Sequence, residues 1–398
     1  MTLILLAFFL QGYTISPAVT DGLTQDTSAH EEQSSFFMPN QPTSPVTNGN
    51  TVYFGSWRAT FGNFEQGTGH LYAVDMETKK EIWRFKAKYG TGSTPVISRG
   101  MLFFGNGELV NFGSKPAGKK GCFYALDSKT GKEIWQFNTE GGINVEPTIQ
   151  NGMVYFGCHD RYLYALDAKT GKEKWKLATG GPILSKPVIE KEIIYLGSDD
   201  GNLYAIDLNS GETKWKLPIE PENQTGFIGG VSTPAIAGNK VFVTRHAGLL
   251  YAIDKVTQEP LWNYPSDTFN LPSDGFSHSI PVYYNNTVYI LAHDDYLHAL
   301  EPETGKLKWK KMLDEGRAQN AMSPIEEGSV YLIDLNGTYL YSLDITNQEV
   351  EWKFETRGSI FCTPSVSGNL VFINSLSAHL YAINRLTGKL DFEFIPVN

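Results

Sequence analysis

One five-residue element recurs along this chain and constrains its fold more than any other feature. It reads apolar, Tyr, Ala, apolar, Asp in its clearest copies, as in Leu71–Asp75 (LYAVD). The eight copies end at Asp75, Asp127, Asp167, Asp207, Asp254, Glu301, Asp344 and Asn384. Eight positions after each of these stands an aromatic residue: Trp83, Trp135, Trp175, Trp215, Trp262, Trp309, Trp352 and Phe392. A repeat of 40 to 52 residues predicts a chain of eight similar supersecondary units.

A second element, a proline-led strand followed by a turn and an apolar run, precedes each copy. Its prolines are Pro45, Pro95, Pro147, Pro187, Pro234, Pro281, Pro324 and Pro364. Each unit therefore contains four short β-rich runs separated by turn residues. The 39 glycines and 20 prolines suit such a chain. The sequence predicts an all-β fold, an eight-bladed β-propeller of four-stranded antiparallel blades over residues 44–398.

The segment between the carboxylate and the aromatic predicts a hairpin turn. In Asp127–Lys132 (DSKTGK) the Asp and Thr oxygens can accept backbone N–H bonds, and Gly can adopt a positive φ. Lys79, Gln258 and Gln348 replace this glycine in three copies, where we expect strained or differently shaped turns. We interpret the repeated Asp as a turn residue rather than a catalytic acid, and the repeated Trp as packing between blades.

The segment Leu163–Trp175 (LYALDAKTGKEKW) resembles the repeat of the PQQ-like β-propeller family, where PQQ is pyrroloquinoline quinone. The resemblance covers about residues 44–396 and all eight copies. The family includes quinoprotein dehydrogenases and non-enzymatic outer-membrane protein assembly factors of the BamB type. The short, lean repeats look like the second group, which implies a scaffold that binds protein partners. The absence of a lipobox cysteine departs from that group.

The dehydrogenase branch implies a vicinal disulfide, a calcium site and a catalytic Asp beside the quinone. The three cysteines, Cys122, Cys158 and Cys362, are not adjacent, and no calcium ligands or catalytic residue can be matched to this chain. We therefore expect no catalytic residue, no metal site and no cofactor. PQQ with calcium, or another small molecule in the central funnel, is the alternative. Cys122 and Cys362 lie at strand starts and are predicted to be buried thiols.

Insertions predict which face of the propeller binds partners. With strands A to D counted outward in each blade, the C-to-D turns keep a constant length. The long segments, 57–69, 106–120, 217–231, 264–278 and 313–321, are all B-to-C or D-to-A connections, which share one face. Aromatic and Arg residues on this face are predicted to bind a protein partner or, alternatively, to pack onto the propeller. They are Trp57, Arg58, Phe61, Phe64, Phe112, Lys115, Phe227, Phe269, Phe276, His278 and Arg317.

Polar residues are also predicted to line the mouth of the pore on this face. Four of them stand four residues after a strand aromatic: His159, Asp199, His246 and His293. Arg245 precedes one of them and joins the candidate partner-binding residues. Three His and a carboxylate suit a metal ion or an anion. Because they stand on different blades, we favour a solvated polar rim over a metal site.

Charge and the first residues predict where the protein acts. With 33 basic and 43 acidic side chains, the chain has no general affinity for nucleic acid or anionic lipid. Leu3–Leu10 (LILLAFFL) is too short to cross a bilayer and fits the apolar part of a signal peptide, with a misassigned start as the alternative. We predict a signal peptide over 1–16, a flexible polar segment over 17–43, and an exported monomer that is periplasmic, envelope-associated or secreted.

Overall fold

The computed structural model shows an all-β chain. It describes residues 43–60, 63–88, 90–107, 121–219, 230–245, 249–265, 280–291, 296–312, 318–334, 337–360, 362–375 and 379–396, with the backbone alone at 56–60, 63–68 and 318–321. These residues form eight four-stranded antiparallel sheets, each built from four consecutive strands. The predicted eight-bladed propeller is confirmed.

The blades follow one another in chain order. Blade 1 contains β1 (Val46–Asn48), β2 (Thr51–Thr60), β3 (Asn63–Asp75) and β4 (Glu81–Ala87); blade 2, β5 (Val96–Ser98), β6 (Met101–Gly107), β7 (Gly121–Asp127) and β8 (Glu133–Thr139); blade 3, β9 (Thr148–Gln150), β10 (Met153–Gly157), β11 (Tyr162–Asp167) and β12 (Glu173–Ala178); blade 4, β13 (Val188–Glu190), β14 (Ile193–Gly197), β15 (Asn202–Asp207) and β16 (Thr213–Pro218). Blade 5 contains β17 (Ala235–Ala237), β18 (Lys240–Arg245), β19 (Leu249–Asp254) and β20 (Pro260–Tyr264); blade 6, β21 (Val282–Tyr284), β22 (Thr287–Leu291), β23 (Tyr296–Leu300) and β24 (Leu307–Met312); blade 7, β25 (Ala318–Met322), β26 (Ser329–Asp334), β27 (Tyr339–Asp344) and β28 (Glu349–Glu355); blade 8, β29 (Ser365–Ser367), β30 (Leu370–Asn374), β31 (Leu380–Asn384) and β32 (Leu390–Phe394).

The repeated Asp closes the C-to-D turn, as predicted. Asp127 Oδ1 accepts hydrogen bonds from the Lys129 and Thr130 N–H groups at 3.1 and 2.8 Å. Gly131 has φ +69°, and a bulge follows as the ladder register shifts between Ala125 and Leu126. Where glycine is replaced, the φ is much the same, at +61° to +63° for Lys79, Gln258 and Gln348. These turns keep the shape of the others and carry the strain of a left-handed residue.

Five of the D-strand tryptophans pack on the C-to-D turn of the next blade: Trp83, Trp135, Trp175, Trp262 and Trp352. Trp135 Nε1 donates to the Ala168 carbonyl at 3.0 Å, and its ring lies over Gly171. A Cβ on Gly171 would lie 2.6 Å from Trp135 Cδ2, so this glycine provides space as well as a positive φ. The same indole-to-carbonyl bond joins Trp83 to Ser128, Trp262 to Pro302 and Trp352 to Arg385. The predicted packing between blades is confirmed.

The ring closes between blades 8 and 1 with a different pair of residues. Phe392 replaces the tryptophan and Lys79 replaces the glycine that would receive it. Lys79 Nζ lies 5.6 Å from the Phe392 ring centroid and donates to the Asp391 carbonyl at 3.3 Å. Asn374 Nδ2 adds a bond of 2.8 Å to the Gly55 carbonyl. Because the two blades share no strand, these contacts and the apolar cluster around Phe54 and Phe372 close the ring.

Two segments predicted as connections are partly strands. Between 57 and 69, β2 and β3 continue as a paired hairpin up to Thr60 and Asn63. Glycine and polar residues masked the alternation there, and backbone pairing across the hairpin supplied the strands. Within 313–321, the residues from Ala318 onward belong to β25.

Candidate functional site at the central channel

The residue before the repeated proline joins the innermost segments of blades 1 and 2, of blades 3 and 4, and of blades 4 and 5. The Ser44 N–H donates to Thr94 Oγ1 at 3.2 Å, which joins blades 1 and 2. The Lys186 N–H donates to Thr233 Oγ1 at 2.9 Å, which joins blades 4 and 5. Contacts of this kind between innermost segments place these side chains around the propeller axis. We call this set the channel arc: Ser44, Thr94, Glu146, Lys186 and Thr233.

Glu146 and Lys186 are the charged members of the channel arc. Lys186 Nζ lies 2.5 Å from Glu146 Oε1, and the pair joins blades 3 and 4. Their side chains are 35% and 38% exposed, so solvent reaches both. Sequence reasoning missed this pair. The available signal was the repeated proline, since the residue before it is a hydroxyl in three of these blades and a charge in the other two.

A second polar residue, Asn144, lies two positions before Glu146 on the same segment. Burial alternates from Ile143 to Val145, with Asn144 facing the same side as Glu146. Asn144 Nδ2 lies 3.3 Å from His159 Nε2, whereas Asn144 Oδ1 is buried and has no hydrogen-bond partner. Burial lowers the pKa of His159 to about 4, so the imidazole is neutral and can accept the amide hydrogen.

Asp199 occupies the position equivalent to His159 in blade 4, as predicted. The His159 N–H donates to the Gly142 carbonyl and the Asp199 N–H to the Pro182 carbonyl, at matching places in the two blades. A Cβ on Gly230 would lie 1.9 Å from Asp199 Oδ1, so this glycine leaves room for the carboxyl.

The two neighbouring carboxyls of this loop titrate in opposite directions. Burial, and then the charge of Asp200, raises the pKa of Asp199 to about 7. For Asp200 burial acts in the same direction, but hydrogen bonds from Tyr204, Asn202 and the Gly180 N–H outweigh it and lower the pKa below its usual range. His159 and Asp199 are therefore half-buried groups, and not the freely solvated rim that the sequence predicted.

Small polar side chains form hydrogen bonds between the innermost segments and the B strands. Ser185 Oγ accepts the Gly197 N–H at 2.9 Å and donates to the Gly197 carbonyl at 2.7 Å. Cys362 takes this place in blade 8, where its Sγ accepts the Asn374 N–H at 3.3 Å. Burial raises the pKa of Cys362 to about 12, which marks a structural thiol. All three cysteines are free and buried, as predicted for Cys122 and Cys362.

Of the predicted partner-binding residues, only His159 and Arg245 have described side chains. Arg245 is 7% exposed, and its guanidinium donates to the Ile219 carbonyl, so it is a buried residue that stabilises the propeller. Trp57 and Arg58 lie on β2, and Phe64 on β3. The remaining candidates lie outside the described residues: Phe61, Phe112, Lys115, Phe227, His246, Phe269, Phe276, His278, His293 and Arg317.

The described part of the chain contains no recognisable set of metal ligands. There, no three His, Cys, Asp or Glu side chains are grouped so that they could share a metal ion. In the same ranges no helix is long and apolar enough to cross a membrane.

Comparison of sequences relates the chain to one family and to part of another group. The family described as outer membrane protein assembly factor BamB matches residues 67–229 and 223–391. The quinoprotein alcohol dehydrogenase PedE of Pseudomonas putida is 35% identical over 98 residues, which are 24% of this chain and 14% of the dehydrogenase. The chain thus matches a small fraction of that enzyme's length.

Comparison of structures finds proteins of the same two groups among those that share the fold. BamB from Moraxella catarrhalis superposes with a TM-score of 0.66 and 15% identity, covering 86% of this chain and 96% of that one. The quinohemoprotein alcohol dehydrogenase from Comamonas testosteroni superposes with a TM-score of 0.59 and 17% identity, covering 76% and 67%. At these identities the likeness concerns the fold alone.

Proposed function

The chain belongs to the family of the outer membrane protein assembly factor BamB, and from this premise we propose that it is a non-catalytic, exported propeller scaffold. It binds a protein partner at or near a membrane through the face formed by the B-to-C and D-to-A connections. Outer-membrane protein assembly is the process that the family description supports. The apolar segment Leu3–Leu10 supports export.

The observation that carries this proposal is the extended hairpin of blade 1. In blade 3 the B and C strands end their pairing at Gly157 and Leu163, which correspond to Gly55 and Leu71. In blade 1 the pairing continues to Thr60 and Asn63, so the hairpin rises roughly 16 Å beyond the blade at about 3.3 Å per residue. We call residues 56–70 the blade 1 arm.

The arm is suited to contact with another protein. Strand β4 pairs with β3 only from Gly69 onward, and β1 pairs with β2 only as far as Tyr53. Within these ladders residues 56–60 and 63–68 of the arm have no third strand, so their backbone edges are available to a partner. Trp57 and Phe64 add aromatic residues of the type that anchors interfaces.

A hairpin exchange tests the proposal. Replacing residues 56–70 by a copy of the five residues 158–162 gives blade 1 the short connection of blade 3. We expect in-cell crosslinking followed by mass spectrometry to recover an envelope protein with the wild type and to lose it with this variant. Lys129→Ala with Lys169→Ala, at exposed turns of the opposite face, is the control and should retain it. The proposal is wrong if the shortened, folded variant keeps every crosslink.

A quinoprotein function is the second candidate, and the similarity to PedE favours it. Calorimetry with PQQ and calcium on the purified chain, together with an ultraviolet-visible spectrum, separates the two. We expect no heat and no quinone absorbance. Calcium-dependent binding in the micromolar range would replace the scaffold proposal by a cofactor-dependent one.

A further inference from the structure

The seam between blades 5 and 6 differs from the seams before it on the turn face, which is the face formed by the A-to-B and C-to-D turns. At those seams the first residue of a B strand and the middle residue of the next A strand are apolar and pack on the core: Met101 with Ile149, Met153 with Ile189, and Ile193 with Ile236. At this seam the same two positions hold Lys240 and Tyr283. Longer side chains with polar ends thus replace two apolar contacts.

A cavity of about 410 Å³ opens where these two residues stand. It is bordered by Gly238 and Asn239 in the A-to-B turn of blade 5, and by Pro302 and Glu303 in the C-to-D turn of blade 6. Its volume lies within the range of small-molecule sites, about 300–1,000 Å³. The cavity lies on the face opposite the proposed partner-binding face, so a ligand here is independent of the blade 1 arm.

Tyr283 presents an aromatic ring to this cavity. The ring lies nearly parallel to the buried ring of Phe242, with 9° between the two planes and 6.4 Å between the centroids. Tyr283 is nevertheless 37% exposed, and it lines the cavity. Packing on Phe242 therefore holds the ring in place while part of it faces solvent. A fixed, exposed ring of this kind can stack with a flat ligand or with a face made of C–H groups, which the negative face of the ring attracts.

Lys240 and Glu303 supply hydrogen-bonding groups beside the ring. Lys240 Nζ donates to both carboxylate oxygens of Glu303, at 2.8 and 2.7 Å. These two bonds use about half of the acceptor sites of a carboxylate and leave one N–H of the ammonium group for a ligand. The Glu303 side chain is 71% exposed, so a ligand can reach it. Because the two charges lie so close together, their fields largely cancel at the cavity.

From this arrangement we propose that the cavity binds a neutral carbohydrate. The C–H face of a sugar ring stacks on Tyr283, and its hydroxyl groups bond to the Glu303 carboxylate, the Lys240 ammonium group and the Asn239 amide. A hydroxyl both donates and accepts, so one class of group pairs with all three side chains. The paired charges give no net attraction to an ion. A wholly apolar ligand would cover the same polar groups without bonding to them, which costs free energy.

Saturation-transfer NMR with neutral sugars tests the proposal on the full chain. We expect glucose, N-acetylglucosamine or maltose to receive saturation from the protein, with a dissociation constant in the millimolar range or below. The C–H groups on one face of the sugar ring should receive the most, because that face lies on Tyr283. Glucuronate and glucosamine each add one charge to glucose and should bind no more tightly than glucose does.

Two substitutions remove the site by restoring residues that other blades carry, so both variants are expected to fold. Tyr283→Ile gives blade 6 the residue of blades 2 to 5, and Lys240→Met gives blade 5 the residue of blades 2 and 3. Each should weaken sugar binding at least tenfold. Lys255→Met is the matched control, since Lys255 pairs with Glu190 between blades 4 and 5, and it should leave the affinity unchanged.

Three results would overturn the proposal. In the first, none of the three sugars receives saturation from the folded wild type at about 20 mM, whereas N-acetyltyrosine amide does, which would make the cavity a site for an aromatic side chain of a protein. In the second, glucuronate or glucosamine binds at least tenfold more tightly than glucose, which would make it an ion site. In the third, folded Tyr283→Ile binds sugar like the wild type.

Discussion

The contact between each tryptophan and the next blade can be isolated by comparing two glycines. Gly171 and Gly152 both have positive φ values, +69° and +77°. A Cβ on Gly171 would lie 2.6 Å from Trp135 Cδ2, whereas nothing lies within 4 Å of a Cβ on Gly152. Gly171→Ala therefore changes backbone strain and packing, and Gly152→Ala changes backbone strain alone.

The expected magnitudes follow from this difference. An alanine in the left-handed region costs about 1–2 kcal/mol at either position. At Gly171 the indole must also move, and overpacking of this kind costs about 1–3 kcal/mol more. Displacement of the ring also weakens the bond from Trp135 Nε1 to the Ala168 carbonyl, now 3.0 Å long. We expect Gly171→Ala to lower the free energy of unfolding by about 1–3 kcal/mol more than Gly152→Ala.

Urea unfolding followed by tryptophan fluorescence and by circular dichroism measures both variants. In a Trp135→Leu background the extra loss at Gly171 should disappear, since the ring that the new Cβ meets is gone. Equal losses for the two glycine variants, or an extra loss that persists without Trp135, would refute the packing argument.

Three further variants are expected to change stability in defined directions. The pKa of Asp199 is raised to about 7 in the folded state, so the unfolded state ionises first as the pH rises, and wild-type stability falls between about pH 4 and 7. Asp199→Asn should remove this fall and be more stable than the wild type by up to about 4 kcal/mol at pH 8. Urea unfolding across this pH range measures the difference. The pKa of His159 is about 4 in the folded state against an ordinary 6.5, so wild-type stability falls as the pH drops from 6.5 towards 4. The loss of stability between pH 7 and pH 4 should be smaller for His159→Gln than for the wild type, by up to about 3 kcal/mol, as measured by thermal unfolding. Gln258 has φ +62°, so Gln258→Gly should stabilise the chain by about 1 kcal/mol. The urea midpoint of the variant measures this gain, and no gain would mean that the turn carries no strain.

The sequence predicted the features that depend on repetition. Local rules produce the turn at Asp127, and repetition at fixed spacing predicts the packing of Trp135 between blades. The predicted strain at Lys79 also follows from the backbone alone, because a left-handed turn position disfavours any residue with a Cβ.

The features that the sequence did not predict depend on contacts between distant segments. The pair of Glu146 and Lys186 forms because two innermost segments, 40 residues apart, run side by side at the axis. The amide of Asn144 meets His159 within blade 3, where the B-to-C connection lies against the innermost segment, 15 residues earlier in the chain. The blade 1 arm was predicted as a loop because its glycines and polar residues lack strand alternation, and only the pairing of Trp57 with Gly69 reveals the strands.

Some departures from the repeat occur in pairs whose members contact each other. At the ring closure, Phe392 and Lys79 depart together and contact each other. Glu146 and Lys186 also depart together and contact each other, with both side chains partly open to solvent. In each case the contact between the two residues explains why both differ from the other blades, so a departure from the repeat does not by itself indicate a binding site.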